Sequence, residues 1–586
     1  MLDVSKFFGR RVKPVANFAR QARRIRFSEN QTFALMAIVV GLAGGLAAVG
    51  FHHLINFLSD EIFGRIAEFC EPLGKFRFLP PIMLGALLVG PLVTRAAPEA
   101  KGHGVPEVME AVTRRGGRIR TRVAYIKAIA SALTIGSGGS AGREGPIVQI
   151  GSAIGSTIAR AFRMSDRRRS TFVAAGAAAG VAAVFNAPLA GVFFALEVVL
   201  RSFTARGFST VVISAVTANA VWRVMVGDES ILTAEVYRLE EPLELLLYGA
   251  LGVFAAVIAV IFVRVLYFIE DKFENLSVIA DLRPVIGAVG VGILGAISID
   301  LLGSGLAGID KALAGEFTVK FILFLLVGKM IATALTLGSG GSGGIFSPSL
   351  FIGALLGSAY GELVNQIFPD STAPVGAYAI VGMAAVFAAA AQAPMSAIFI
   401  VFEMTNDFGL IMPLMAACAA ATVVYTAIKK DSIYEVKLRR KRALASDQQG
   451  DEQQMSSVLL VAAAEAKYVA CFENILLAEA INLMDRNRED VLLVVSHDRA
   501  LKGVVYKRDA VTALKEVPNR KVVDAIRQDH PVAHPGATLE NGMQLLENGN
   551  TNFLPVLDWN DRVLGVANRI SITRAYEVSL KAFDEK

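Results

Sequence analysis

Gly142-Arg143-Glu144-Gly145-Pro146 sets two opposite charges side by side after a stretch, Gly136 to Gly142, made almost wholly of glycine and serine. A proline at this place marks the first turn of a helix, where its missing N–H is not needed. Helix starts carry unpaired N–H groups and a partial positive charge. A Gly-Ser loop leading into one exposes amides and hydroxyls without side-chain obstruction, which makes an anion site from neutral donors. Neutral donors suit an ion that must also leave, because conduction needs weak and multiple sites. The same dipole favours the Glu144 carboxylate. Glu144 can therefore take the anion's place and give it up on protonation; the other reading is a plain helix-capping glutamate. Arg143 either supplies a positive field at the mouth of such a path or is an ordinary ion-paired arginine.

The elements that position these residues occur twice. Lys127 to Gly142 reads KAIASALTIGSGGSAG, and Lys329 to Gly344, 202 residues later, reads KMIATALTLGSGGSGG, with twelve of sixteen positions identical. Each copy runs into a proline-marked segment, and further on Pro188 and Glu197 correspond to Pro394 and Glu403, now 206 apart. Copy one is flanked by Arg114, Arg115, Arg118, Arg120 and Arg122 before it and by Arg160, Arg163, Arg167, Arg168 and Arg169 after it, whereas the upstream flank of copy two keeps only Lys320. If basic flanks face the cytoplasm, the copies lie in opposite orientations. Inverted repeats of this kind place a transport site at their interface near the bilayer midplane.

Composition sets the same frame. The chain has 586 residues, 54% hydrophobic and 19% charged, with a mean hydropathy of +0.51. That is too apolar for a soluble protein of this size. Apolar segments fill Gln31 to about Ile428, and many are too short or too interrupted by Gly and Pro for a simple spanning helix of roughly 20 residues. Irregular backbone at membrane depth survives only where protein or a polar cavity surrounds it. Met1 to Arg26 carries eight Lys/Arg and one acid with no apolar core, which reads as a basic cytoplasmic segment rather than a cleavable signal. The net charge of +6 clusters at membrane edges and calls for no nucleic-acid partner. Cys70, Cys418 and Cys471 lack metal spacing and read as free thiols. No HExxH or similar catalytic constellation is present, so an intramembrane enzyme is disfavoured. The expected organisation is a basic segment over 1–30, a membrane domain over 31–440, a linker over 441–457 rich in Gln, Asp and Ser, and two soluble units over 458–517 and 518–586.

At these residues the chain resembles the CLC family of chloride channels and proton-coupled chloride exchangers. Three motifs carry the resemblance: Gly102-His103-Gly104-Val105-Pro106, Gly142-Arg143-Glu144-Gly145-Pro146 and Gly343-Gly344-Ile345-Phe346-Ser347-Pro348. The resemblance implies an all-α polytopic membrane domain with inverted repeats and broken helices. It implies a homodimer with one pore per subunit, joined through Leu189–Leu200, Thr210–Trp222, Met395–Phe402 and Ile411–Val424, and with both termini cytoplasmic. Glu144 matches the gating glutamate. His103, Gly104, Arg143, Gly145, Ile345, Phe346 and Tyr434 match the anion-binding positions, with the amides of Ile345 and Phe346 and the Tyr434 hydroxyl in contact with the ion.

Two departures matter. The family's central serine is His103 here, a donor that titrates near neutral pH; it either binds the anion with a pH-sensitive affinity or is turned away. The internal acid that exchangers carry is replaced by Val198. Valine binds no proton, which favours channel-like or weakly coupled chloride flux. The alternative is a proton/chloride exchanger with a proton path that avoids Val198.

The C-terminal segment is itself duplicated. Val491 to Val511 and Phe553 to Ile572 each show a strand, a polar turn, a Gly-Val strand and a helix, with Gly503 and Gly565 aligned at an offset of 62. The pair resembles tandem CBS domains of α/β type. The resemblance implies an adenine-nucleotide site, for which Tyr506, Asp509, Asn568 and Ser571 hold the relevant places and only Asp509 fits well. A bracing role for the pair is the simpler expectation; a membrane-bound nucleotide sensor is the alternative of another class. No further cofactor or metal is expected.

Overall fold

The computed structural model describes residues 29–228, 232, 237, 242–369, 372–440, 458–466, 468–517, 519–527, 529–549 and 551–584. The basic N-terminal segment, except its last two residues, and the expected linker 441–457 lie outside the described residues. Met1–Leu438 and Arg439–Lys586 form two compact units.

In the first unit, apolar runs bounded by Pro, Gly or charge fold as helices. They are α1 (Glu29–Asn56, continued by the π-helical stretch Phe57–Gly64), α2 (Leu79–Pro91), α3 (Val105–Arg114), α4 (Thr121–Gly136), α5 (Glu144–Ala161), α6 (Asp166–Val184) and α7 (Pro188–Phe194, continued by the π-helical stretch Ala195–Leu200). There follow α8 (Ala205–Met225), α9 (Glu244–Glu274), α10 (Arg283–Ile297), α11 (Leu306–Leu313), α12 (Val319–Gly338), α13 (Phe346–Ile367), α14 (Val375–Ala391), α15 (Pro394–Thr405), α16 (Ile411–Ile428) and α17 (433–440). Among the described residues, seven helical stretches are long and apolar enough to cross a bilayer, while Pro188–Leu200, Val375–Ala391 and Pro394–Thr405 are apolar but shorter. Val375–Ala391 survives because protein, not lipid, surrounds it: every residue from Gly376 to Ala391 is buried, as is every residue from Phe172 to Val184 in α6. Helices with no lipid face need small residues to approach one another. The carbonyl of Gly151 fills the space a Cβ would need at Gly176, and the reverse also holds; Gly353 and Gly382 repeat the arrangement in the second copy.

The duplication is structural. α5 and α13 begin at 144 and 346, 202 apart, and α8 and α16 begin at 205 and 411, 206 apart. The net insertion of four residues falls in α13, which has 22 residues against 18 in α5. The contacts between copies are reciprocal. Thr134 Oγ1 accepts from the Ser342 amide at 3.2 Å, and its counterpart Thr336 Oγ1 accepts from the Ser140 amide at 3.0 Å. The Ser131 and Ser342 hydroxyls lie 2.9 Å apart, and those of Thr333 and Ser140 lie 3.1 Å apart. Gly142 and Gly344 each donate an N–H to the other's carbonyl, at 2.8 and 2.6 Å. Exchange of i with j in every pair is the signature of a two-fold axis between the copies. The copies are an inverted pair.

The second unit carries its own duplication at an offset of 62. Strands β1 (Ala470–Phe472), β2 (Val491–Val495) and β3 (Leu501–Tyr506) form one sheet, with β1 parallel and β3 antiparallel to β2; β4 (Leu554–Leu557) and β5 (Val563–Ala567) pair antiparallel. Single-residue bridges cross between the halves in matching fashion. Glu465 pairs with Val566 and Arg527 with Val504; Leu459 pairs with Thr538 and Lys521 with Leu476. The segment 459–465 therefore packs on the second half, while 521–527 packs on the first.

Candidate anion site

Helix starts meet at the axis between the copies. α5 and α13 begin on either side of the Gly142–Gly344 bridge. α3 begins after Gly104, which caps it at φ +80°, a conformation open to glycine. The loop before α3 is tied to the second copy: the Gly102 N–H donates to the Gly341 carbonyl at 3.0 Å, and the Gly343 N–H donates to the Gly102 carbonyl at 3.3 Å. Two fully buried lysines hold these approaches. Lys127 donates to the carbonyls of Ala100 and Gly102 at 3.0 and 2.6 Å. Its counterpart Lys329 donates to those of Leu301, Leu302 and Gly303 at 3.2, 3.4 and 2.9 Å. In the sequence these lysines mark only the start of each repeat. Their signal was a charge kept at the same place in both apolar copies.

Glu144 is the first residue of α5 and is fully buried. Its carboxylate reaches across the axis to the start of α13, accepting from the Ser347 hydroxyl and, at 3.5 Å, from the Ser347 amide. Ser347 carries no local sign of this contact, standing in sequence only as the fifth residue of Gly343-Gly344-Ile345-Phe346-Ser347-Pro348. Ile345 caps α13 and Phe346 opens it, so their amides have no acceptor within the helix. The Phe346 ring is locked between Phe387 and Phe194, at centroid distances of 4.2 and 5.1 Å. At Gly145 a Cβ would meet the His103 carbonyl and Gly344, so the α3 loop and both repeated loops touch at one point. Arg143 turns away from this point: its Nη1 lies 3.2 Å from His52 Nδ1, and its Nη2 donates to the Val184 carbonyl at 3.4 Å.

His103 and Tyr434 stand together, with ring centroids 5.9 Å apart. Both are buried, and among the described residues His103 Nδ1 and the Tyr434 hydroxyl have no protein partner. An unmet buried polar group costs about 1–3 kcal/mol, so two of them side by side mark a place for a ligand or water. The other ring nitrogen, Nε2, lies 3.5 Å from the Tyr267 hydroxyl, which itself donates to the Ile433 carbonyl at 2.5 Å.

Val198 is buried in the π-helical end of α7. The neighbouring Glu197 caps α15, accepting from the amides of Met395 and Ser396 at 3.2 and 2.8 Å and from the Ser396 hydroxyl at 2.6 Å. Glu403 returns the contact, accepting from the amides of Leu189 and Ala190 at 3.1 and 2.8 Å.

The fold and these helix starts define a polytopic membrane transporter for anions, built on an inverted repeat. Residues 85–426 match the family described as voltage gated chloride channel, and residues 463–516 match the CBS domain. The chain belongs to the CLC family. It is 35% identical over 420 residues to the H(+)/Cl(-) exchange transporter ClcA of Vibrio campbellii, covering 69% of this chain and 88% of that protein. It is also 35% identical over 422 residues to the protein of the same name from Yersinia pestis, covering 70% and 87%. A slow cyanobacterial Cl-/H+ antiporter superposes with a TM-score of 0.66 at 28% identity, over 71% of this chain and 99% of that one. A eukaryotic CLC transporter superposes with a TM-score of 0.60 over 92% and 97%; at 20% identity it speaks to the fold alone.

In the CBS unit, Asp509 is ion-paired with Arg527 at 2.9 Å, and the Arg527 guanidinium lies 5.4 Å from the centre of the Tyr506 ring. The Tyr506 hydroxyl is 2.9 Å from His530 Nδ1, and His530 Nε2 is 2.9 Å from the Phe553 carbonyl. Burial pushes the His530 imidazole below its ordinary value. Ser571, the counterpart of Asp509 at an offset of 62, lines a cavity of about 280 Å³ with Glu465, Arg574 and the alanines 462–464. Sequence reading passed over this cavity because Glu465 and Arg574 meet only through the exchange of segments between the halves.

Proposed function

We propose that the chain exchanges chloride for protons across a membrane, with Glu144 as the moving part. The observation that carries this reading is the Glu144 carboxylate seated on Ser347 at the start of α13, where the amides of Ile345 and Phe346 would otherwise receive an anion. A proton neutralises the carboxylate and weakens its hold, and chloride takes the vacated seat. His103, Gly104, Gly145 and Tyr434 complete the path, and Arg143 adds a positive field behind it. The curated relatives named as H(+)/Cl(-) exchange transporters favour exchange over the channel-like flux expected from Val198. Val198 remains the observation on the side of passive flux.

By the same reading the protein is a homodimer with cytoplasmic termini, and its apolar surface at Leu189, Val216, Met395, Met412, Met415 and Val423 supports burial against a second copy. Of the CBS unit's two halves, the Ser571 cavity is the better candidate for a nucleotide, since Asp509 is engaged by Arg527. The deciding experiment uses purified protein in liposomes under an outward chloride gradient. Exchange predicts proton movement against its own gradient in fixed proportion to chloride, and chloride flux with no such movement would leave only the passive reading.

A further inference from the structure

We propose that His103 is the proton carrier that replaces the missing internal acid, receiving protons from the side of Glu270 and Lys437 and passing them to Glu144. This rests on the exchanger reading.

The tautomer follows from the bonding. The Tyr267 proton is committed to the Ile433 carbonyl, so toward His103 its hydroxyl only accepts. The ring proton therefore sits on Nε2, and the unpartnered, buried Nδ1 holds a free lone pair. Nδ1 is the basic atom of the site. Three residues after Tyr267, about one turn along α9, Glu270 pairs with Lys437 at 3.1 Å, with both side chains still partly exposed, at 11% and 20%. Lys437 Nζ is 2.6 Å from where a Cβ on Gly102 would lie, beside His103 in the chain. On the far side the His103 carbonyl abuts Gly145, the residue after Glu144. The ring thus stands between a partly exposed carboxylate and the gating carboxylate, and Val198 has no part in the route.

The step balances. A proton taken from water at the Glu270 end bonds to Nδ1 and gives an imidazolium. The Nδ1–H bond then breaks as an O–H bond forms on Glu144, directly or through one water, and the ring returns to neutral. Lys127 on α4 and Lys437 on α17 are the charged groups acting on the ring, Tyr267 on α9 and Tyr434 on α17 lie beside it, Glu270 on α9 pairs with Lys437, and Glu144 on α5 precedes the Gly145 that abuts the His103 carbonyl. Burial first, and then the two lysines, oppose a charged ring. A chloride beside Nδ1 offsets the lysines' part of this, so the ring takes up a proton more readily while the anion is bound.

The test measures chloride efflux and proton uptake together in liposomes holding the full chain, wild type or His103→Ser. The expected result is persistent chloride efflux with a proton-to-chloride ratio reduced roughly tenfold or more. A wild-type ratio in His103→Ser overturns the relay and leaves exchange standing. Wild-type protein that moves no protons uphill overturns the exchanger reading, and the relay with it. If His103→Ser carries no chloride, Glu270→Gln decides: a reduced ratio supports the route, and an unchanged ratio overturns it.

Discussion

At the scale of single residues, the proposed exchange turns on a carboxylate that is covalently part of one copy and hydrogen-bonded to the other. Glu144 accepts from Ser347 while belonging to α5, so its charge is stabilised by the start of a helix that its own copy does not supply. Glu144→Gln keeps the shape and removes the titration. The expected outcome is chloride flux that no longer varies with pH and carries no coupled protons, read in the same liposome assay. A variant that still couples protons would remove Glu144 from the cycle. The place of this residue at a helix start was legible from Gly-Arg-Glu-Gly-Pro, but its partner was not. Ser347 lies 203 positions away, and only the two-fold arrangement of the repeated loops brings it near. Arg143 is a similar case: its charge beside Glu144 was legible, and its contacts with His52 and the Val184 carbonyl were not.

At the scale of elements, short helices are held by side chains from their symmetry mates. Glu197 and Glu403 each cap the other copy's helix. Glu197→Ala and Glu403→Ala should therefore destabilise to a similar extent, about 1–3 kcal/mol each, seen as a lower unfolding temperature in detergent. A loss confined to one of them would contradict the symmetry argument. In the CBS unit the element that matters is the contact of β3 with the chain around His530. Burial holds the folded-state pKa of His530 below its ordinary value of 6.5, so the unfolded chain binds the proton first. Stability is then full above pH 6.5 and falls as pH drops through that value toward the folded pKa, with a slope of at most about 1.4 kcal/mol per pH unit. Unfolding of the CBS unit followed at pH 7.5 and 5.5 should show this loss, and His530→Gln should flatten it.

At the scale of the whole molecule, two duplications with different logic lie in one chain. The membrane unit uses its two-fold to bring helix starts together at a buried point. The CBS unit uses its own to exchange segments, 459–465 against 521–527. Apolar side chains remain uncovered on α8 and α16, with Val216 at 53%, Met412 at 65% and Val423 at 68% exposure. If a second copy covers them, light scattering in detergent should give twice the chain mass of 62.4 kDa after subtraction of bound detergent. A single chain mass would assign that surface to lipid.

The sequence by itself determined the class of fold and the chemistry of the loops. Repetition, proline-marked helix starts, Gly-Ser composition and uneven arginine flanks are local or periodic signals, and each survives as one-dimensional information. The motif residues His103, Glu144, Ile345, Phe346 and Tyr434 were legible for the same reason. Only the tertiary structure decided which groups meet: Ser347 with Glu144, Tyr267 with His103, Glu197 with α15, Lys127 with the carbonyls before α3. The pairs Ser347–Glu144 and Glu197–α15 are set by a two-fold axis between segments some 200 residues apart. No local propensity encodes such an axis, because it follows from packing the two copies against each other.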